Sequence, residues 1–133
     1  MNILFVCKHN RFRSKVAEAF FRHHYKGNSV KAKSAGTVLD LMNPYIARNV
    51  TRIMRDKGIS MRDDGAVRID SFILNWANKI IIVGDNVASE MFKDKDVAFW
   101  PIGDASEEDV ETISRRVDEI EKKIIEFTNS LNQ

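Results

Sequence analysis

One cysteine, two prolines and no apolar run longer than a few residues set the first limits on this 133-residue chain. A single cysteine cannot close an internal disulfide, and no Cys/His cluster has metal-ligand spacing, so neither a disulfide scaffold nor a metal centre is expected. No cofactor is called for, and a reducing compartment suits a lone thiol. No segment approaches the roughly 18 apolar residues of a membrane span. The apolar stretch Asn2–Val6 is too short for the core of a signal peptide, so a cytoplasmic protein that avoids membranes is expected. Lysine and arginine never form a long block, and the net charge is only +2. Nucleic-acid binding through bulk charge is thereby excluded, while a local anion site needs only a few donors. Repeats and low-complexity tracts are also missing. What remains, 44% apolar and 30% charged residues, is the composition of one globular domain over residues 1–133.

Short apolar runs alternate with helical patterns. Ile3–Val6 reads as a parallel strand buried on both faces. Ser14–Lys26 follows as a helix with Val16, Ala19, Phe20 and His23 on one stripe and Gly27 as its stop. Val30–Ala35 is a second strand. Asn43–Lys57 reads as a helix capped by Asn43, with Pro44 in its first turn, a stripe of Ile46, Val50, Ile53 and Met54, and Gly58 at its end. Met61–Arg68 is loop, and Asp70 caps a short helix over Ser71–Ala77. Ile80–Val83 is the central strand. Asp85 starts a short helix to Phe92. Val97–Trp100 is the last strand, and Ser106–Leu131 a long amphipathic helix with Val110, Ile113, Val117, Ile120, Ile124 and Phe127 inward. This order predicts an α/β fold: a four-stranded parallel sheet with helices on both faces and ligands at the carboxyl ends of the strands.

The first strand ends at Cys7. Five residues on stands Arg13, then Ser14, and a helix begins at once. Thiolates are favoured at helix N-termini beside positive charge. The amides of Lys8–Arg13 can curl around an anion at the positive end of the helix. Arg13 offers a planar fork for two oxygens, Ser14 can donate to the sulfur, and Asn10 tolerates the left-handed turn a tight curl needs. His9 tunes the local field, and Lys8 and Arg11 add positive charge. The loop Lys8, His9, Asn10, Arg11, Phe12, Arg13 and Ser14 is therefore the expected substrate-binding segment. In-line attack by Cys7 on phosphorus leaves an oxygen that needs a proton. Asp104, after the last strand, is the candidate acid, with Asp85 a competing carboxylate. Each residue alone has an ordinary reading. A cysteine at a strand end is usually a small hydrophobe, Arg13 a solvated helix-start residue, and Asp104 a dipole partner beside a helix that Ser106 can cap. Arg115, Arg116, Lys122 and Lys123 read as a solvated face. The strand before the loop and the helix after it set the combination apart.

Cys7-x5-Arg13-Ser14, Ala17-Glu18-Ala19, Ser34-Ala35-Gly36-Thr37 and an acidic residue before the last helix resemble the low-molecular-weight protein tyrosine phosphatase superfamily, which includes thioredoxin-coupled arsenate reductases. The resemblance implies Cys7 as nucleophile, Arg13 as phosphate clamp and Asp104 as general acid. It also implies that Asn10, Ser14 and Ser34 hold the loop's shape. His9-Asn10 is closer to the reductase branch, yet those enzymes carry two further cysteines near the end of the third strand, where this chain has Val83–Ser89 without one. Phe12 replaces the second loop cysteine of the phosphatases, and Asp104-Ala105-Ser106 replaces their Asp-Pro-aromatic segment. Lys8, Phe12 and Val38–Met42 then become candidates for the mouth. The expectation is a phosphatase for phosphotyrosine-like substrates, on a phosphorylated protein or a small aryl phosphate. The alternatives are an arsenate reductase that borrows an external thiol or redoxin, and an oxyanion-binding module without turnover.

Overall fold

The computed structural model describes residues 1–62 and 64–132. Asp63, within the predicted loop, and Gln133, at the end of the expected domain, lie outside the described residues. Four strands, β1 (Asn2–Cys7), β2 (Lys31–Gly36), β3 (Lys79–Val83) and β4 (Asp96–Trp100), form one parallel sheet in the order β2-β1-β3-β4. The helices are α1 (Arg13–His24), α2 (Arg48–Asp56), α3 (Ser71–Trp76) and α4 (Val110–Leu131). No helix among the described residues is long and apolar enough to cross a membrane.

The period-two pleat sends alternate residues of each buried strand to opposite faces. Ile3, Phe5, Ile81 and Val83 pack with Phe20 and Phe21 of α1, Val50 and Met54 of α2, and Ile113, Val117, Ile120 and Ile124 of α4. Leu4, Val6, Ile80 and Ile82 face the other way, toward Phe92, Ala77 and the apolar side of α3. The sheet is therefore sandwiched between α1, α2 and α4 on one face and the smaller α3 layer on the other. The chain leaves β1 for β2 on one side and returns for β3 on the other. The switch point thus lies at the carboxyl end of β1, where ligands bind in open α/β sheets. Cys7, paired in register with Gly36, stands there.

Several predicted boundaries are corrected. Helix α2 starts at Arg48, not Asn43, because both start signals are otherwise employed. The Asn43 amide closes a turn on the Asp40 carbonyl, 3.2 Å, and the Pro44 carbonyl accepts from Ala66 N–H, 2.8 Å. Asp85 starts no helix; only one 3₁₀ turn, Glu90–Phe92, forms before β4. Helix α4 begins at Val110, and its cap is Asp109, whose carboxylate accepts from Thr112 N–H, rather than Ser106. Val110 is consequently exposed at the helix mouth. The buried stripe of α1 is Val16, Ala17, Phe20 and Phe21, and His23 points outward. That helix ends at His24, and the Tyr25 ring stacks on Phe21, 5.0 Å between centroids. Arg116 is not wholly solvated; its guanidinium lies against Gly103. Asp70 caps α3 as expected, accepting from Ile73 N–H.

Candidate active site

The segment between β1 and α1 must turn sharply to re-enter a helix six residues after Cys7. Asn10 makes the turn with a positive φ of 55°. The β2 end gives it room, since a Cβ on Gly36 would sit 2.9 Å from the backbone of Lys8, His9 and Asn10. Two backbone bonds fix the start of the loop to the chain after β2: Thr37 N–H to the Cys7 carbonyl, 3.1 Å, and Val38 N–H to that of Lys8, 2.8 Å.

Asn10 is fully buried. Its Oδ1 accepts from Val67 N–H, 2.9 Å, which fixes the orientation of the amide. Nδ2 then donates to Ser14 Oγ, 2.8 Å, and to Ser34 Oγ, 3.1 Å. With its oxygen accepting from Asn10, the Ser14 hydroxyl has its proton free for Cys7 Sγ, 2.9 Å away. Ser34 passes its own proton to Glu18 Oε1, 2.6 Å, and Glu18 pairs with Arg22. The chain Glu18–Ser34–Asn10–Ser14–Cys7 thus diverges from the Asn10 amide, its donors pointing outward to the sulfur at one end and to a carboxylate at the other.

Arg13, the first residue of α1, is 2% exposed. Nη1 donates to the Ile102 carbonyl, 2.9 Å, and Nη2 to Asn86 Oδ1, 3.0 Å. Asp85 and Asp104 approach the same guanidinium at 3.5 and 3.6 Å. Gly84 admits it, because a Cβ there would lie 2.9 Å from Nη1. The segment after β3 therefore follows Arg13 instead of coiling into a helix. One cleft is lined by Cys7, Arg13, Asp104, Ala47, Val50 and Ile113, with Arg11, Glu107, His9 and Phe12 around them. Asp104 lines that cleft and Asp85 does not, so distance to Arg13 leaves the two carboxylates level and the cleft separates them.

The remaining loop residues divide. His9 Nδ1 donates to the Val38 carbonyl, 2.6 Å; a carbonyl only accepts, so the proton is on Nδ1. Phe12 is buried in the core beneath the cleft. Arg11 is engaged by the Tyr45 carbonyl and by Glu107. Lys8 is half-buried and does not line the cleft. Val38, Leu41 and Met42 are exposed but also do not line it. Gly84, Asn86, Val67 and Ile102 complete the arrangement with no motif pointing to them, and Glu18 joins it from the Ala17-Glu18-Ala19 segment. Only Gly84, directly after an apolar strand, carried a signal that marks a close approach.

The family described as low molecular weight phosphotyrosine protein phosphatase matches residues 2–133. The chain belongs to that family. It is 31% identical over 131 residues to an arsenate reductase of Brevibacillus brevis, covering 96% of this chain and 94% of that one. The structure of an arsenate reductase from Archaeoglobus fulgidus is similar at a TM-score of 0.81 and 27% identity, covering 96% and 98% of the two chains. A low molecular weight phosphotyrosine phosphatase from Vibrio cholerae O395 shares the fold, with a TM-score of 0.88 over 100% of this chain and 97% of that one, at 16% identity. The family thus fixes an enzyme fold shared by phosphatases and arsenate reductases.

Proposed function

We propose that the protein is a cysteine phosphatase that hydrolyses phosphotyrosine-like phosphomonoesters through a cysteinyl-phosphate. The observation that carries this is the convergence of Cys7, Arg13 and Asp104 on one cleft, with the sulfur facing the Ser14 hydroxyl. The phosphoryl group sits in the loop Lys8–Ser14 at the N-terminus of α1, and Arg13 offers two phosphoryl oxygens the guanidinium N–H groups left over from its bonds to Asn86 and the Ile102 carbonyl. The Cys7 thiolate attacks in line. The S–P bond forms as the P–O bond to the leaving group breaks, and Asp104 gives that oxygen its proton. Asp104, now a carboxylate, takes a proton from water as the water attacks phosphorus. The S–P bond breaks, inorganic phosphate leaves and the thiolate is restored.

A second reading is favoured by the arsenate-reductase relatives; with Cys7 the one cysteine of the chain, the thiols it needs come from outside. Cys7 attacks arsenate, and water leaves. An external thiol, from a small molecule or a redoxin, then attacks the Cys7 sulfur. The S–As electron pair passes to arsenic, arsenite departs, and a second thiol reduces the mixed disulfide. Both readings place the work in a reducing compartment.

Hydrolysis of para-nitrophenyl phosphate by wild type, Cys7→Ser and Asp104→Asn, with arsenate plus thiol assayed in parallel, separates them. The phosphatase reading predicts hydrolysis abolished in Cys7→Ser and lowered about 10²-fold or more in Asp104→Asn. Full hydrolysis in Cys7→Ser would overturn the mechanism, and Cys7-dependent arsenite release without hydrolysis would select the second reading.

A further inference from the structure

Asp104 is half exposed, and its own carboxylate is weakly held. Oδ1 accepts from the adjacent Ala105 N–H, 2.9 Å, and Oδ2 stands 3.6 Å from Arg13. Its position is therefore set by the segment that carries it, the stretch between β4 and α4. Two guanidinium groups of the Cys7 loop hold that stretch on either side of Asp104. Two residues before it, the Ile102 carbonyl accepts from Arg13. Three residues after it, the Glu107 carboxylate pairs with Arg11.

Arg11 is built for that grip. Its side chain is only 16% exposed, and Nε donates to the Tyr45 carbonyl, 2.8 Å, which aims the Nη groups across the cleft at Glu107. Glu107 is tied a second time, since its backbone carbonyl accepts from Asn49 Nδ2 of α2, 2.8 Å. Arg11, Glu107 and Asp104 all line the cleft. The same ties account for the late start of α4: residues between Asp104 and Asp109 are committed to the loop and to α2 rather than to a first helical turn.

We infer that Arg11 and Glu107 are positioning residues, a latch that holds the Asp104 segment against the Cys7 loop so that the acid meets the leaving oxygen. The inference rests on the proposed acid role of Asp104. Its signature is dependence on the leaving group. A latch acting through a general acid matters for a poor leaving group such as phenolate and little for a good one such as dinitrophenolate, which departs without a proton. Loss of a direct substrate contact would lower both alike.

The test compares kcat/KM for phenyl phosphate and 2,4-dinitrophenyl phosphate in wild type, Asp104→Asn, Arg11→Ala, Arg11→Lys, Glu107→Gln and Asn49→Ala, with thermal unfolding of each. Arg11→Ala and Glu107→Gln are expected to lose about tenfold on phenyl phosphate, a part of the roughly 10²–10⁴ that a general acid supplies, and less than about twofold on the dinitrophenyl ester. An Arg11→Ala/Glu107→Gln double variant, measured alongside, is expected to lose no more than either single one, because the two act as one pair. Arg11→Lys, which keeps the charge but not the fork, falls between. Asn49→Ala, which leaves both charges in place, shows the same selectivity in weaker form and keeps the test intact if Arg11→Ala fails to fold. Equal losses on both esters, or none, in Arg11→Ala and Glu107→Gln while Asp104→Asn shows the selective loss would overturn the latch alone. If Asp104→Asn itself shows no selectivity, the acid role falls and the latch with it.

Discussion

Asn10 joins three separate segments at the Cys7 loop. It bonds Ser14 of α1, Ser34 of β2 and the backbone of Val67, and it adopts the left-handed conformation that lets the loop turn. These roles are separable. Asn10→Gly keeps the positive φ and removes the three bonds, and the buried groups left without partners cost about 1–3 kcal/mol. Asn10→Ala adds the left-handed penalty of about 1 kcal/mol. Urea unfolding is expected to rank wild type above Asn10→Gly above Asn10→Ala, and both variants should hydrolyse aryl phosphate more slowly because Ser14 loses the partner that turns its proton to the sulfur. Equal stability of the two variants would show that φ is not what selects asparagine here. Asn10, Ser14, Arg13 and Cys7 were legible in sequence because they are contiguous and each type has one physical use in such a turn. Val67, Asn86, Gly84 and the Ile102 carbonyl were not. They come from distant segments, and two of the contacts, at Val67 and Ile102, are made by backbone atoms that any side chain would supply.

At the scale of elements, the errors share a cause. Asn43-Pro44 and Asp85 are sound helix-start signals, but asparagine and aspartate serve turns and ion pairs as readily as caps. Asn43 is taken by the turn at Asp40, and Asp85 by Arg13. Around α4 local pattern suggests Ser106 as the cap, whereas the structure uses Asp109, a residue type that caps as well. Asp109 wins because the residues before it are held across the cleft. Its carboxylate accepts from the Thr112 hydroxyl, 2.7 Å, and from Thr112 N–H, 3.1 Å. The Thr112 side chain first, then the Thr112 backbone, hold the Asp109 carboxyl below its ordinary 3.8. A group lowered on folding stabilises the fold above its unfolded pKa, and that contribution is lost as pH falls through the folded value. An asparagine at this position would cap without titrating. The Asp109→Asn protein is therefore expected to lose less thermal stability than wild type between neutral pH and about pH 3. Melting curves at the two pH values check this, and an unchanged acid sensitivity would exclude Asp109 as a contributor.

Over the whole molecule, the sheet was readable because β1 and β3 are continuous apolar runs, β2 alternates and ends in Gly36, and β4 is a short apolar stretch closed by Pro101; a parallel sheet covered on both faces leaves few other arrangements. Strand order then gathers the chemistry. The switch at the end of β1 brings the carboxyl ends of β3 and β4 beside the Cys7 loop, so that Arg13 meets Asn86 after β3 and Ile102 and Asp104 after β4. A second tie across the same face, Lys57 of the α2 end to Asp118 and Glu121 of α4, 2.8 and 3.2 Å, holds α2 and α4 together behind the cleft. The site is thus a property of the fold's closure rather than of one segment, and only its Cys7 loop is written locally. The central claim, that Cys7 carries the phosphoryl group, is tested most directly by trapping it. Asp104→Asn is mixed with 2,4-dinitrophenyl phosphate, quenched in acid and measured by intact mass and peptide mapping. The good leaving group needs no acid, while breakdown of the intermediate lacks its base, so a phosphoryl group is expected to accumulate on the Cys7 peptide and to be missing in the Cys7→Ala/Asp104→Asn double variant. Turnover with no phosphoryl on Cys7 at any quench time, or the same turnover in the double variant, would contradict the account.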